Sequence, residues 1–242
     1  MKIIKKTALV LFILCLPVML FTASVSTAAN CAWLYEYGFN KYDISRTTGI
    51  EPAELERAAH GLINYWNSGD KTFNITVLKN GQPFTLFNER EVSHLKDVKA
   101  LFRLVYQCLL GSFIYALVFT GLALLLWKDR KLLAAGLMWG SGLSVFLMIA
   151  LGLAAIADFR WLFWQFHILS FTNDLWQLDP SRDYLIMLFP EGFWFDAAII
   201  CSAFKVFLAL ILGFTGWRIM RRLSQSPTTR TGGGLDFIAG DR

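Results

Sequence analysis

Four runs of the chain, Thr7–Ser26, Leu104–Trp127, Leu132–Ala157 and Ala197–Trp217, are apolar almost without interruption and contain no Asp or Glu. A membrane-spanning helix needs about 20 such residues, so the pattern predicts four transmembrane helices. Between the first two runs the pattern changes. In IEPAELERAAHGLINYWN (50–67) the apolar Leu55, Ala58, Ala59, Leu62, Ile63 and Trp66 recur at helical spacing behind Pro52, and Ser68-Gly69 ends the helix. FNITVL and FTLF then flank KNGQP, whose Asn80-Gly81 is a hairpin signal. Ser93 stands where an N-cap belongs, and the helix it starts runs without a break into the second span. At 1.5 Å per residue His94 then lies roughly 15 Å along the axis from Leu104.

These elements predict a mainly α membrane protein: a four-transmembrane-helix bundle with a small extracytoplasmic α+β cap. The expected division is a first transmembrane helix over 1–29, the cap over 30–92, and the second helix with a cytoplasmic turn over 93–131. A third helix (132–157), an extracytoplasmic catalytic loop region (158–196), a fourth helix (197–223) and a disordered cytoplasmic tail (224–242) follow. Lys2, Lys5 and Lys6, the turn KDRK (128–131) and Arg218, Arg221 and Arg222 place both termini inside by the positive-inside rule. Those flanks account for the net charge of +5, which therefore does not point to nucleic acid.

Composition agrees, with a mean hydropathy of +0.47, 21 Phe and 9 Trp. The first run also resembles a secretory signal peptide, but it exceeds the usual 7–15-residue apolar core, which favours a retained helix. Cys15, Cys108 and Cys201 fall within spans and Cys31 stands alone, so neither a disulfide framework nor a CxxC metal site is expected. Gly136 and Gly140 form a GxxxG, read here as a packing surface.

One stretch, FHILSFTNDLWQLDPSRD (166–183), gathers polar groups in this apolar chain. With His94 it brings a second imidazole, His167, to the same outer level, and an imidazole exchanges a proton near neutral pH. Asp97, three residues beyond His94, shares its helical face and can orient it. Asn173, Asp174, Asp179 and Asp183 can orient the histidines, or they can simply cap turns and the helix implied by YLIMLF. Among the surrounding aromatics, Phe166, Phe171, Trp176, Phe189 and Phe193 are candidates for the wall of a pocket for acyl chains or glyceryl esters. His60 reads as structural or exposed. Lys205 is a charge inside a span and thus a functional candidate that can also snorkel to the headgroups. No HExxH or GxSxG occurs, and no Asp lies within a span, so metalloprotease, serine-hydrolase and intramembrane aspartyl chemistry lack their residues. No metal or other cofactor is expected.

Through EVSHLKDV (91–98) and FHILSFTNDLWQLDPSRDYLIMLFPEGF (166–193) the chain resembles the lipoprotein intramolecular transacylase (Lit) family of Gram-positive bacteria. The order of helices and cap agrees over residues 1–223. The resemblance implies an acyltransferase of the cell membrane, with its site at the extracytoplasmic face. Its substrate would be a diacylglyceryl lipoprotein among membrane lipids, and its product the lyso form, with the sn-2 acyl chain moved to the α-amino group of the N-terminal cysteine. His94 and His167 would be the catalytic pair. The rival reading is a non-catalytic membrane protein whose cap binds another envelope protein.

Overall fold

The computed structural model describes residues 1–225, so the expectation of a disordered tail lies, beyond Gln225, outside the described residues. In chain order the elements are α1 (Lys2–Ala29), α2 (Ala32–Lys41), α3 (Ile44–Thr48), α4 (Pro52–Asn67), β1 (Thr76–Lys79) and β2 (Gln82–Thr85). There follow α5 (Glu89–Gly121), continued by a π-helical turn (Leu122–Leu126), then α6 (Arg130–Ser170), α7 (Tyr184–Leu188) and α8 (Glu191–Gln225). Four of these, α1, α5 with its π-turn, α6 and α8, are long and apolar enough to cross a membrane. The protein is therefore a mainly helical four-span bundle carrying a small mixed cap.

The bundle closes around α1. Phe12, Leu16 and Leu20 are buried with Phe119, Ala123, Leu133 and Ala209 from the other spans, and Phe12 stacks on Phe119 at 4.4 Å between ring centroids. Lys5 pairs with Asp129 at 3.0 Å, and the same carboxylate caps α6 by accepting from the Leu132 amide. Tyr115 donates its hydroxyl proton to the Ala8 carbonyl at 2.9 Å. Thus α1 is a wall of the bundle. The GxxxG is occupied: a Cβ on Gly136 would stand 2.7 Å from Phe12, and one on Gly140 would stand 2.8 Å from Leu16. On another side of α6 the Ala134 carbonyl comes within 2.8 Å of a Cβ built on Gly216 of α8.

The cap folds α2–α4 over an antiparallel hairpin with Thr76 opposite Thr85 and Lys79 opposite Gln82. Its turn places Asn80 at φ 52° and Gly81 at φ 76°, the left-handed conformations that Asn-Gly accepts at low cost. Ile50, Ala58, Leu62 and Val77 are fully buried beneath it, and Leu185, Leu188, Phe189 and Phe193 enter the same core. Residues 184–193 are thus packed into the cap. Glu54 ties α4 to the hairpin by accepting from Arg57 and from the Leu78 amide, and these donors hold its carboxyl below the usual glutamate value of 4.5.

Three boundaries differ from expectation, the simplest being the fourth span, whose helix begins at Glu191 and not at 197. Helix α5 begins at Glu89, not after Ser93, because Asn88 caps it: its side chain accepts from the Arg90 and Glu91 amides while Glu91 accepts from the Asn88 amide. Ser93 lies inside the helix and donates to the Glu89 carbonyl. The region after the third span is also not a loop throughout. The backbone breaks at Asp158 (φ −160°, ψ 92°), whose carboxylate caps a new helical segment by accepting from the Trp161 amide at 2.9 Å, and helix continues to Ser170.

Replacing Gly140 by Leu should push α1 off α6 and cost about 1–3 kcal/mol, read as a lower melting temperature in detergent. Gly142→Ala, where no atom lies within 4 Å, should leave it unchanged or higher. Because the folded Glu54 carboxyl is depressed, its contribution is present above the ordinary glutamate value and lost as pH falls through the lower folded one. Glu54→Gln should therefore flatten the acid side of cap stability, followed by amide hydrogen exchange from neutral pH to about pH 3.

Candidate active site at the cap end of the bundle

His94 occupies the second turn of α5 and is 6% exposed. His167 lies on the segment that follows the Asp158 break. Their rings face each other, with centroids 6.4 Å apart and planes inclined by 29°. Phe171 meets His94 edge-on at 5.1 Å, while Phe163, Phe166 and Trp176 surround His167 at 4.4, 5.2 and 4.8 Å.

The hydrogen bonding of the two rings differs. His167 Nδ1 lies 2.7 Å from the Phe163 carbonyl oxygen, which can only accept. In the neutral ring Nδ1 therefore carries the proton, leaving the Nε2 lone pair available. His94 Nδ1 is buried without a hydrogen-bond partner. Such an atom is costly to keep dry, and it marks the ring as held by its frame rather than by its own bonds. Among the described residues no carboxylate hydrogen-bonds to either imidazole.

The expected supporting residues form that frame. Asn173 donates to Asp97 at 2.9 Å and accepts from the Leu175 amide, so the Asp97 carboxylate is engaged by an amide side chain. Asp174 accepts from Gln177, and its carbonyl receives the Arg90 guanidinium at 2.7 Å. Asp179 accepts from the Ser181 hydroxyl and amide, which hold its carboxyl below the usual aspartate range. Asp183 stands at the N-cap position of α7 but does not cap it. Its carboxylate, 1% exposed, accepts from the Asp179 amide at 2.7 Å and from the Asn88 side chain at 2.9 Å. The Leu185 amide of α7 is instead met by Glu91 at 2.6 Å, since the Asp183 carboxylate is taken up by the Asp179 amide and the Asn88 side chain.

Sequence reasoning missed Asn88, Arg90 and Glu91. The spacing Asn-x-x-Glu was a capping-box signal, but nothing in it announced the bonds to residues 174–185. Phe166, Phe171 and Trp176 lie against the histidine pair, whereas Phe189 and Phe193 are buried in the cap core with Tyr35. His60 is joined by Glu36 and Glu56, one ligand atom of each lying within 4.8 Å of the others on the cap. None of these three belongs to the surround of His94 and His167. Lys205 is buried in α8 with its ammonium 5.4 Å from the Phe21 ring centroid.

The fold and this geometry define a multi-pass membrane protein that holds a facing histidine pair between aromatic side chains where bundle and cap meet. The chain belongs to the lipoprotein intramolecular transacylase Lit family, whose model matches residues 10–194. Its fold is that of the lipoprotein intramolecular transacylase Lit from Bacillus cereus, with a TM-score of 0.79 and 22% identity over 93% of this chain and 100% of that one. A structure of the same protein with one histidine replaced by alanine matches at a TM-score of 0.75 and 21% identity, over 93% of this chain and 97% of that one. An uncharacterized protein of Aquifex aeolicus (strain VF5) is 26% identical over 185 residues, 75% of this chain and 80% of its own length.

Glu91 uses both oxygens for backbone amides, and glutamine offers a single carbonyl oxygen. Glu91→Gln should therefore leave one buried N–H unpaired, cost about 1–3 kcal/mol, and lower the melting temperature. Activity should fall with it if His94 is displaced, checked by comparing turnover at a temperature where the variant remains folded.

Proposed function

We propose that the protein transfers the sn-2 acyl chain of a diacylglyceryl lipoprotein to the α-amino group of that lipoprotein's N-terminal cysteine, at the extracytoplasmic face of the cell membrane. The observation that carries this reading is the His94–His167 pair, with the His167 tautomer set by the Phe163 carbonyl. The product is the lyso-form lipoprotein.

Attack of the amine nitrogen on the ester carbonyl closes a ring of about eight atoms, so the main demand on the protein is to hold nitrogen and carbon in reach. The N–C bond forms, the C–O bond to the glyceryl oxygen breaks, and one proton passes from nitrogen to that oxygen. Ester becomes amide, a downhill change that needs no external energy source and no cofactor.

In this reading His167 Nε2 accepts the proton that the attacking amine must lose, since Nδ1 is already committed to Phe163. The α-ammonium has a reference pKa of about 7.7–8.0, so free amine is present near neutral pH, and its remaining proton, made acidic as the N–C bond forms, passes to the neutral imidazole. His94 faces the developing charge and supplies an N–H to the oxyanion or to the leaving oxygen. Two imidazolium charges this close repel, so the pair shuttles one proton rather than storing two. Asp97, Asn173, Asp174, Asp179 and Asp183 act by holding the walls, and Phe166, Phe171 and Trp176 keep water from the ester.

The test is mass spectrometry of a reporter lipoprotein made in a host that lacks this conversion. Expression of the protein should move one acyl chain from glycerol to nitrogen. His94→Ala and His167→Ala should each lower the product by at least about 100-fold while the chain still inserts in the membrane. A free cysteine amine with both esters intact in the presence of the unaltered protein would refute the reaction, and full activity of either variant would remove that histidine from it.

A further inference from the structure

Past the Asp158 break, residues 159–170 form an arm with two unlike faces. Phe159 packs on Phe195 at 5.1 Å and Phe163 on Trp194 at 5.8 Å, and this inward side carries His167. On the outward side Trp161, Trp164, Ile168 and Leu169 are 56%, 47%, 51% and 85% exposed. Their spacing places them along one face of a helix. The arm's exposed Arg160 pairs with Glu191 at 3.0 Å, and none of these four outward residues is charged.

A face this apolar, interrupted only by the uncharged Gln165, is rare against water. Its surroundings indicate what covers it. Directly before the break, Leu153 and Ile156 are 64% and 77% exposed in the third span, whose exposed side chains face lipid in any membrane insertion of this bundle. The outward face of the arm continues that surface, and its tryptophans suit the boundary between acyl chains and headgroups. We propose that residues 159–170 lie against the acyl region of the cap-side leaflet through Trp161, Trp164, Ile168 and Leu169, so that His167 is presented at the lipid boundary. An acyl ester anchored in that leaflet then reaches the histidine pair without leaving the membrane. The placement in lipid stands on the membrane fold alone; the consequence for turnover rests on the transacylase reading.

The test uses the full chain in phosphatidylglycerol/phosphatidylcholine vesicles, with Cys15, Cys31, Cys108 and Cys201 replaced by alanine. A nitroxide is placed at Leu169→Cys and, as a second site, at Trp161→Cys, and its collisions with oxygen and with a water-soluble nickel chelate are compared. Both labels should resemble one at Ile156→Cys, with oxygen favoured over the chelate. Labels that behave like one at Glu56→Cys on the exposed cap surface would place the arm in water and overturn the proposal. Exclusion of both reagents would overturn it too, since protein, such as a second copy of the chain, would then cover the face.

A kinetic arm tests the consequence. Ile168→Asp with Leu169→Asp should lower turnover of a vesicle-embedded lipoprotein about tenfold and spare turnover of the same substrate in detergent micelles. Equal loss in both media would mean damage to the site, and no loss in vesicles would overturn the consequence. Lipid-like collisions in a protein with no transacylase activity would leave the placement standing and remove the reaction.

Discussion

The buried carboxylate of Glu91 is the central tie between the two halves of the site. Glu91 accepts from the Asn88 amide with one oxygen, completing the cap of α5, and from the Leu185 amide with the other, tying that helix to α7. Charge-assisted bonds of this kind are stronger than neutral ones, and removing one partner exposes the full cost of a buried unpaired group. Around it the Asn88 side chain donates to Asp183, Asp183 accepts from the Asp179 amide, and Arg90 donates to the carbonyl of Asp174. The start of α5 is therefore the common reference for His94 and for the polar stretch beyond His167. Because α5 continues into the bundle, the same helix also relates the site to the membrane.

This arrangement explains why neither imidazole needs a carboxylate of its own. His167 has its tautomer set by a backbone carbonyl one turn away, and His94 is positioned by the helix that carries it. The aspartates are spent on turns and on the bond between Asn173 and Asp97. For the proposed transfer, rigid placement suits an intramolecular step in which both reacting groups arrive on one molecule, because holding them in a near-attack geometry lowers the barrier. The aromatic side chains around the pair make a low-dielectric surround in which an N–H aimed at a developing oxyanion is worth more than in water.

Much of the fold was legible in the chain. The four apolar runs read as membrane-crossing segments, since about 20 consecutive apolar residues match the hydrocarbon thickness of a bilayer, and Asn80-Gly81 announced its hairpin through backbone chemistry. Gly136 and Gly140 signalled a close helix approach, though not that Phe12 and Leu16 of α1 would fill it. The cap of α5 was misread because Ser93 and Asn88 both have capping side chains. What decided between them was the reciprocal partner Glu91, and local propensity alone does not weigh that. The third span was expected to end at 157, where the backbone does break, but the helix that restarts past Asp158 was not, because the aromatic residues that follow look the same in a helix as in an interfacial loop.

The candidate site was legible as a list and not as an arrangement. His94 and His167 could be set at one level from helix rise and span boundaries, because distance along a helix follows from residue count. Which aromatics would face them could not, since hydrophobic attraction has no direction: Phe171 and Trp176 reached the imidazoles while Phe189 and Phe193 went into the cap core. The sequence by itself determined the spans, the hairpin and the residues able to carry proton chemistry, all of which depend on local composition and backbone preference. Only the tertiary structure decided which carboxylates are scaffolding and which ring presents a free nitrogen, because hydrogen bonds between segments as distant as Glu91 and Leu185 exist only once the chain has closed on itself.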